Sequence, residues 1–160
     1  MEKAKLYRLD RTQDLALDIH SAWSFFSDPT NLCRITPDWL GFTITCPAPE
    51  PMYAGQILTY TVKPFPGLAW HWVTEITHVR EPRFFVDEQR LGPYRFWHHQ
   101  HIFDPLPGGV RMRDTVHYAL PFGPLARLGH KRMVRPRLEA IFDHRYDVLA
   151  ERFGVAQIAS

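Results

Sequence analysis

The sequence predicts one α+β domain: a curved antiparallel sheet of about seven strands lying over a single long C-terminal helix, with two short helices after the first strand. Three observations carry this. From Trp39 to residue 119 apolar residues recur with period two, in runs separated by Pro- and Gly-rich turns. Beyond that only one long stretch has helical period, with Leu138, Ile141, Phe142, Arg145, Leu149 and Phe153 on one face and Gly154 as its stop. At 160 residues, 45 % of them hydrophobic, the chain is long enough for one sizeable core, so residues 1–160 are read as a single domain.

The elements follow in order. Residues 5–11 read as a short first strand. From Asp18 to Ser27, the helical spacing of Ile19, Ala22, Trp23 and Phe26 predicts a short helix with Asp18 as its N-cap. Asp28 and Pro29 end that helix and open another through Leu32 and Ile35, closed by Pro37. Strands are then expected at about 39–46, 55–63, 69–80, 83–91, 94–104 and 109–119. They are punctuated at 47–51, 64–67, Glu81-Pro82, Gly92-Pro93 and 105–109, the short connections of an antiparallel meander. A breaker from Pro121 to Pro124 ends the last strand. Pro136 either kinks the final helix or sits at its first position, with the helix starting near Arg135. A half-buried sheet must cover its apolar face, and only the last helix is long enough to do so. One helix cannot fill the concave side of a curved sheet, so a pocket is expected between them.

Composition narrows the function classes. The net charge of +2 is too small to argue for nucleic acid, and Lys131, Arg132, Arg135 and Arg137 recur at helical spacing as a solvated face would. Cys33 and Cys46 have neither metal-ligand spacing nor a CxxC arrangement. No apolar run follows Glu2, Lys3 and Lys5, and none approaches the ~18 residues of a membrane span, so a cytoplasmic protein with reduced thiols is expected. There is no G-x-S-x-G nucleophile motif, and Pro107-Gly108-Gly109 leads into a strand rather than into a phosphate-cradling helix. Aromatics make up 14 % of the chain, including 5 Trp and 11 Phe, which suits both a core and an apolar pocket wall.

The chemistry-bearing residues concentrate in the last two strands. On the strand 94–104, Trp97, His99, His101 and Phe103 share one side, and Phe96, His98, Gln100 and Ile102 the other. Both sides mix polar and apolar residues, so alternation alone does not choose the inward one. On the next strand Val110, Met112, Val116 and Tyr118 form an apolar face with Asp114 in its middle, and a buried carboxylate needs a partner. If 104–109 is the hairpin loop, Phe103 faces Val110, His101 faces Met112 and His99 lies directly opposite Asp114. A slip of one residue would put His98 there instead. Asp87 and Gln89 join the same interior if the Gly92-Pro93-Tyr94 turn carries a bulge; a tight turn would pair Asp87 with His98. The adjacent strand would contribute Trp72, Thr74 and Ile76.

The chain resembles the SRPBCC superfamily, which includes START lipid-transfer domains, birch-pollen-type allergens and polyketide cyclases, and within it the small bacterial ligand-binding SRPBCC domains. The matching residues are Asn31-Leu32 with Ile35-Thr36-Pro37, then the run Phe85 to Gln89 with Gly92-Pro93-Tyr94. Trp97, His99, His101 and Phe103 follow, then Asp114, Tyr118, Pro121-Phe122, and Ile141-Phe142-Asp143 with Arg145. The resemblance implies a helix-grip fold, places Trp97, His99, His101 and Phe103 inward, and implies binding of a small hydrophobic or lipid-like molecule. It does not imply one reaction, since one scaffold hosts carriers, sensors and enzymes.

The expected ligand-binding set is therefore Trp72, Asp87, Gln89, Trp97, His99, His101, Phe103, Asp114, Val116 and Tyr118. The His99–Asp114 pair has three readings. It satisfies itself across the hairpin, it anchors a ligand, or it is the catalytic pair of a cyclase, dehydratase or hydrolase with His99 as base. An interaction module with a closed core is a further alternative. His99 and His101 could both reach a zinc ion with Asp114 third, but no cysteine lies nearby and the 9 His are scattered along the chain, so neither metal nor cofactor is expected.

Overall fold

The computed structural model describes residues 5–47, 50–65, 67–121 and 129–157. Seven antiparallel strands form one sheet: β1 (Tyr7–Leu15), β2 (Thr43–Ile44), β3 (Ile57–Phe65), β4 (Leu68–Arg80), β5 (Phe84–Leu91), β6 (Phe96–Leu106) and β7 (Gly109–Ala119). Their spatial order is β1-β7-β6-β5-β4-β3-β2, so strands adjacent in sequence pair throughout except β1, which crosses to β7. Helix α1 (Ile19–Phe26) follows β1, and α2 (Arg135–Phe153) comes last. This is the helix-grip arrangement expected.

Local chemistry explains the elements. Asp18 caps α1, its carboxylate accepting from the backbone N–H groups of His20 and Ser21, which have no partner inside the helix. Asp28 likewise caps a 3-10 turn over Pro29–Arg34, with proline at its first turn where no donor is needed. The expected strand at 39–46 is largely replaced by a second 3-10 turn, Asp38–Leu40, stopped by Gly41 at φ 55°; only Thr43–Ile44 pairs with the sheet. The first strand, conversely, runs on to Leu15 because it pairs with β7 along its whole length, from Tyr7 opposite Tyr118 to Leu15 opposite Val110. Pro121 follows β7, while the rest of the expected breaker lies at 122–128, outside the described residues, as do 48–49 of the turn at 47–51.

The final helix enters through a π turn, His130–Val134, and becomes α-helical at Arg135, so Pro136 stands in the first turn of α2 where its missing N–H leaves no bond unmade. Gly154, at φ 74°, ends it, and the chain then returns to β1 through Ala16 N–H to Gly154 O and Ala156 N–H to Asp14 O. Leu138, Phe142, Arg145 and Leu149 are its buried residues.

The β6–β7 register is a correction. Pairing runs to the end of the hairpin, Leu106 opposite Gly109, leaving only Pro107-Gly108 as the turn, with Gly108 at φ 74°. Phe103 therefore faces Met112, His101 faces Asp114 and His99 faces Val116, two residues from the predicted pairing. Proline at 105 suggests a loop, yet it costs no ladder bond here. The Phe103 N–H points toward β5, at Arg83 O, and so must the backbone position two residues on, which lies past the end of β5. A shift of two preserves every side-chain face, so Trp97, His99, His101 and Phe103 are buried, as are Val110, Met112, Asp114, Val116 and Tyr118.

Two apolar clusters flank the middle of the sheet. One gathers Trp23, Phe26, Phe85, Phe103, Met112 and Leu149 beneath α1; the other gathers Leu9, Trp97, Val116, Tyr118, Leu138 and Phe142 toward the start of α2. The charged residues that matter lie between them.

Candidate functional site

Three neighbouring strands build the polar centre. His99 and His101 project from β6 on one face, with Asp87 of β5 directly across from His99 and Asp114 of β7 directly across from His101. The two carboxylates thus approach the two imidazoles from opposite flanks. Oδ1 of Asp114 lies 2.8 Å from His99 Nε2 and 3.1 Å from His101 Nδ1. Oδ2 of Asp87 lies 2.7 Å from His101 Nε2 and 3.4 Å from His99 Nδ1. The indole N–H of Trp97 donates to the other Asp87 oxygen at 3.3 Å. From α2, Arg145 brings Nη2 to 3.6 Å from Asp114 Oδ1, its guanidinium lying over the rings of Phe26 and Phe142. Apolar rings hold the pair in place: His101 stacks on Phe85 with centroids 4.1 Å apart, and Phe142 meets His99 edge-on.

Burial at this depth works against every charge, so the neighbours decide which survive. Burial pushes the Asp114 carboxyl up, but Arg145 and the two histidines overcome it and hold it well below the usual carboxylate range. Burial likewise raises Asp87, and His99, His101 and the Trp97 N–H bring it below its ordinary value. For His101 burial opposes charging, yet carboxylates at both ring nitrogens outweigh it and raise its pKa. For His99 burial and the adjacent His101, with ring centroids 3.8 Å away, win over the carboxylates and lower it. The centre sets two carboxylates against a guanidinium and two imidazoles, of which the surroundings favour charging His101 over His99.

Above this centre lies a pocket of about 450 Å³ between the sheet and α2. Trp72, Asp87, Trp97, His99 and His101 are on its wall, together with Thr74 and Ile76. Gln89 is not on the described wall: its side-chain amide donates to Tyr94 O and accepts from the Tyr94 N–H, bracing the β5–β6 turn. A Cβ at Gly92 would stand 2.4 Å from Gln89 Oε1, so a side chain there would displace that brace. Asp87 does face His99, with β-bulges on the β4 side of the strand. Phe103 packs against Trp23, Phe26 and Phe85 instead of the pocket. Val116 is sealed in the second apolar cluster, and Asp114 sits behind the histidines. The Tyr118 hydroxyl is 2.8 Å from His130 Nε2 at the π turn.

Several wall residues were not among the expected set. Arg145 is the most consequential; its signal was a cation on an otherwise apolar helical stripe, the helical counterpart of Asp114 on its strand. Tyr60, Tyr94 and Phe142 supply further rings, and Tyr60 shares a short hydrogen bond with Thr74. At the mouth, Arg137 reaches from α2 to Pro64 O and lies over the Trp39 ring.

Solved structures share the fold that this sheet and helix define. A protein of Mycobacterium smegmatis, Ms6760, superposes with a TM-score of 0.62 at 19 % identity over 91 % of this chain and 92 % of its own. Norcoclaurine synthase from Thalictrum, a point mutant in complex with a transition-state analogue, gives 0.63 at 13 % identity over 95 % and 99 % of the two chains. Ara h 8.0201 gives 0.62 at 12 % identity over 92 % and 99 %. No family model matches the sequence, and no curated protein matches it. Among the described residues no helix is long and apolar enough to cross a membrane.

Proposed function

We propose that the protein binds a small, largely hydrophobic molecule in the pocket between sheet and α2, in the manner of a carrier, sensor or regulatory protein. The observation that carries this is the pocket itself. Its volume of about 450 Å³ lies within the range of small-molecule sites, and its wall combines Trp72, Trp97, Tyr60 and Tyr94 with one convergent polar cluster. Rings of this kind supply apolar contact area, while His99, His101 and Asp87 supply orientation. Norcoclaurine synthase, of the same fold, is solved with a small molecule bound, which supports a similar use of the scaffold here.

Binding is favoured over general-base catalysis because both nitrogens of His99 already face carboxylates, at 2.8 and 3.4 Å. A lone base needs one nitrogen aimed at substrate. A closed interaction module is disfavoured by the pocket's volume.

The test is titration of the purified protein with the fluorescent probe 1-anilinonaphthalene-8-sulfonate, with native mass spectrometry of the untreated protein for a co-purified molecule. Saturable binding of one probe per chain, displaced by long-chain fatty acids or by planar aromatics, is expected. A folded protein that neither binds the probe nor carries any molecule would overturn the proposal.

A further inference from the structure

We infer that Asp87, His99 and His101 form a binding site for one divalent transition-metal ion, with Asp114 orienting both imidazoles from behind. One donor atom from each of the three lies within 4.8 Å of the other two. The assignment of nitrogens makes this more than proximity. His99 Nδ1 and His101 Nε2 both face Oδ2 of Asp87, while the opposite nitrogens, His99 Nε2 and His101 Nδ1, both face Oδ1 of Asp114. One carboxylate thus sits where a ligand would, and the other lies beside the far nitrogens, hydrogen-bonded to His99 Nε2 where a metal-bound histidine ordinarily donates its remaining N–H. Asp114, the third ligand that spacing suggests, is in the supporting position, and Asp87 takes its place.

Distances and charge fit the same assignment. Ligands held at about 2.0–2.1 Å around a tetrahedral ion stand roughly 3.3–3.4 Å apart. His99 Nδ1 and Asp87 Oδ2 are already 3.4 Å apart, and the His101–Asp87 contact of 2.7 Å would lengthen to admit the ion. With both histidines neutral, Asp87, Asp114 and Arg145 sum to one negative charge, and a divalent ion reverses it to one positive, which a bound hydroxide or an anionic ligand group would cancel. All three ligands are on the pocket wall and Asp114 is not, so the remaining coordination positions open toward the pocket, where an oxygen of a bound molecule could reach them. Two imidazoles and a carboxylate suit zinc and its neighbours in the first transition row.

The metal is tested without any organic ligand, so its failure leaves the hydrophobic-ligand proposal standing, and the probe titration fails or succeeds independently. Chelator-stripped protein is titrated at neutral pH with Zn²⁺ by calorimetry and with Co²⁺ by visible absorption. One ion per chain at micromolar affinity or tighter is expected, with Co²⁺ bands of four- or five-coordinate geometry. Asp87→Asn should weaken binding at least about tenfold, and Asp114→Asn about ten- to a hundredfold, as loss of a supporting carboxylate does. The double variant His98→Gln/His117→Gln, on the other face of the sheet where those two rings lie 6.3 Å apart, should leave it unchanged. Absence of stoichiometric binding by the wild type, or its abolition in that surface double variant, would overturn the assignment even if the buried variants fail to fold.

Discussion

His99 Nε2 hydrogen-bonds Asp114 Oδ1 at 2.8 Å, although the residue directly across the hairpin from Asp114 is His101. The bond is diagonal, which leaves the same oxygen within 3.1 Å of His101 Nδ1 and 3.6 Å of Arg145 Nη2. One buried carboxylate therefore neutralises α2's inward cation, holds one ring of β6 by a hydrogen bond and lies against the second. Asp114→Asn keeps the shape and removes the charge, leaving Arg145 buried beside a nearly neutral amide. Breaking a buried ion pair from one side typically costs about 3–5 kcal/mol, and a loss of that order in urea-unfolding free energy is expected. A loss below about 1 kcal/mol, the level of an exposed pair, would mean that water already screens the cluster.

Filling the pocket separates binding from folding. Ile141 projects from α2 into the pocket and is only partly buried. Ile141→Trp adds a ring to space that is empty, so little of the usual overpacking cost of about 1–3 kcal/mol should appear. Probe affinity should fall at least about tenfold while the melting temperature moves by only a few degrees. Unchanged affinity would show that the probe binds elsewhere on the chain.

The β6–β7 turn offers a paired comparison of two adjacent glycines. A Cβ at Gly109 would meet Leu15 O at 2.3 Å and the Ala156 side chain at 2.7 Å, where β1 and the segment after α2 close over the hairpin. At Gly108 nothing lies within 4 Å, and only its φ of 74° disfavours a side chain. Gly108→Ala should thus cost about 1–2 kcal/mol, the left-handed penalty for one residue, and Gly109→Ala clearly more, since backbone must move. Thermal unfolding of the two variants checks the order, and equal losses would contradict the close approach.

Periodicity made most of the architecture legible, because a half-buried sheet and a one-faced helix write different periods into the chain: alternation over Val110, Met112, Val116 and Tyr118, and helical spacing over Leu138, Phe142 and Leu149. The inward face of β6 was not legible from alternation, since each face carries rings and polar groups together, and only the resemblance chose it. Register was missed by two because Pro105 signals a loop by composition, whereas its tolerance depends on where β5 ends, a fact of the neighbouring strand. The same holds for Gln89, whose position in the series pointed inward but whose amide turns back to Tyr94. Arg145 was visible as an anomaly on its stripe; that it meets Asp114 follows only from the helix's placement across β7.

The Tyr118–His130 contact sets a pH dependence that is separate from the central cluster. His130 is buried in the π turn, its ring 3.6 Å from that of Tyr7 by centroids, and its Nε2 2.8 Å from the Tyr118 hydroxyl. Burial, with the nearby charges of Arg135, Lys5 and Lys131, lowers its pKa, while burial pushes the Tyr118 phenol up to about 12. The neutral imidazole therefore accepts and the phenol donates. For a base whose folded pKa is depressed, the unfolded chain binds the proton first as pH falls. This contribution is complete above the unfolded value of about 6.5, declines as pH drops below it, and stops declining beneath the folded pKa. His130→Gln keeps an acceptor for Tyr118 and cannot titrate. Urea-unfolding free energies from pH 8 to pH 5 should then show the wild type losing ground to the variant only below about pH 6.5. Parallel curves across that range would place His130 in contact with solvent, able to take its proton without leaving the fold.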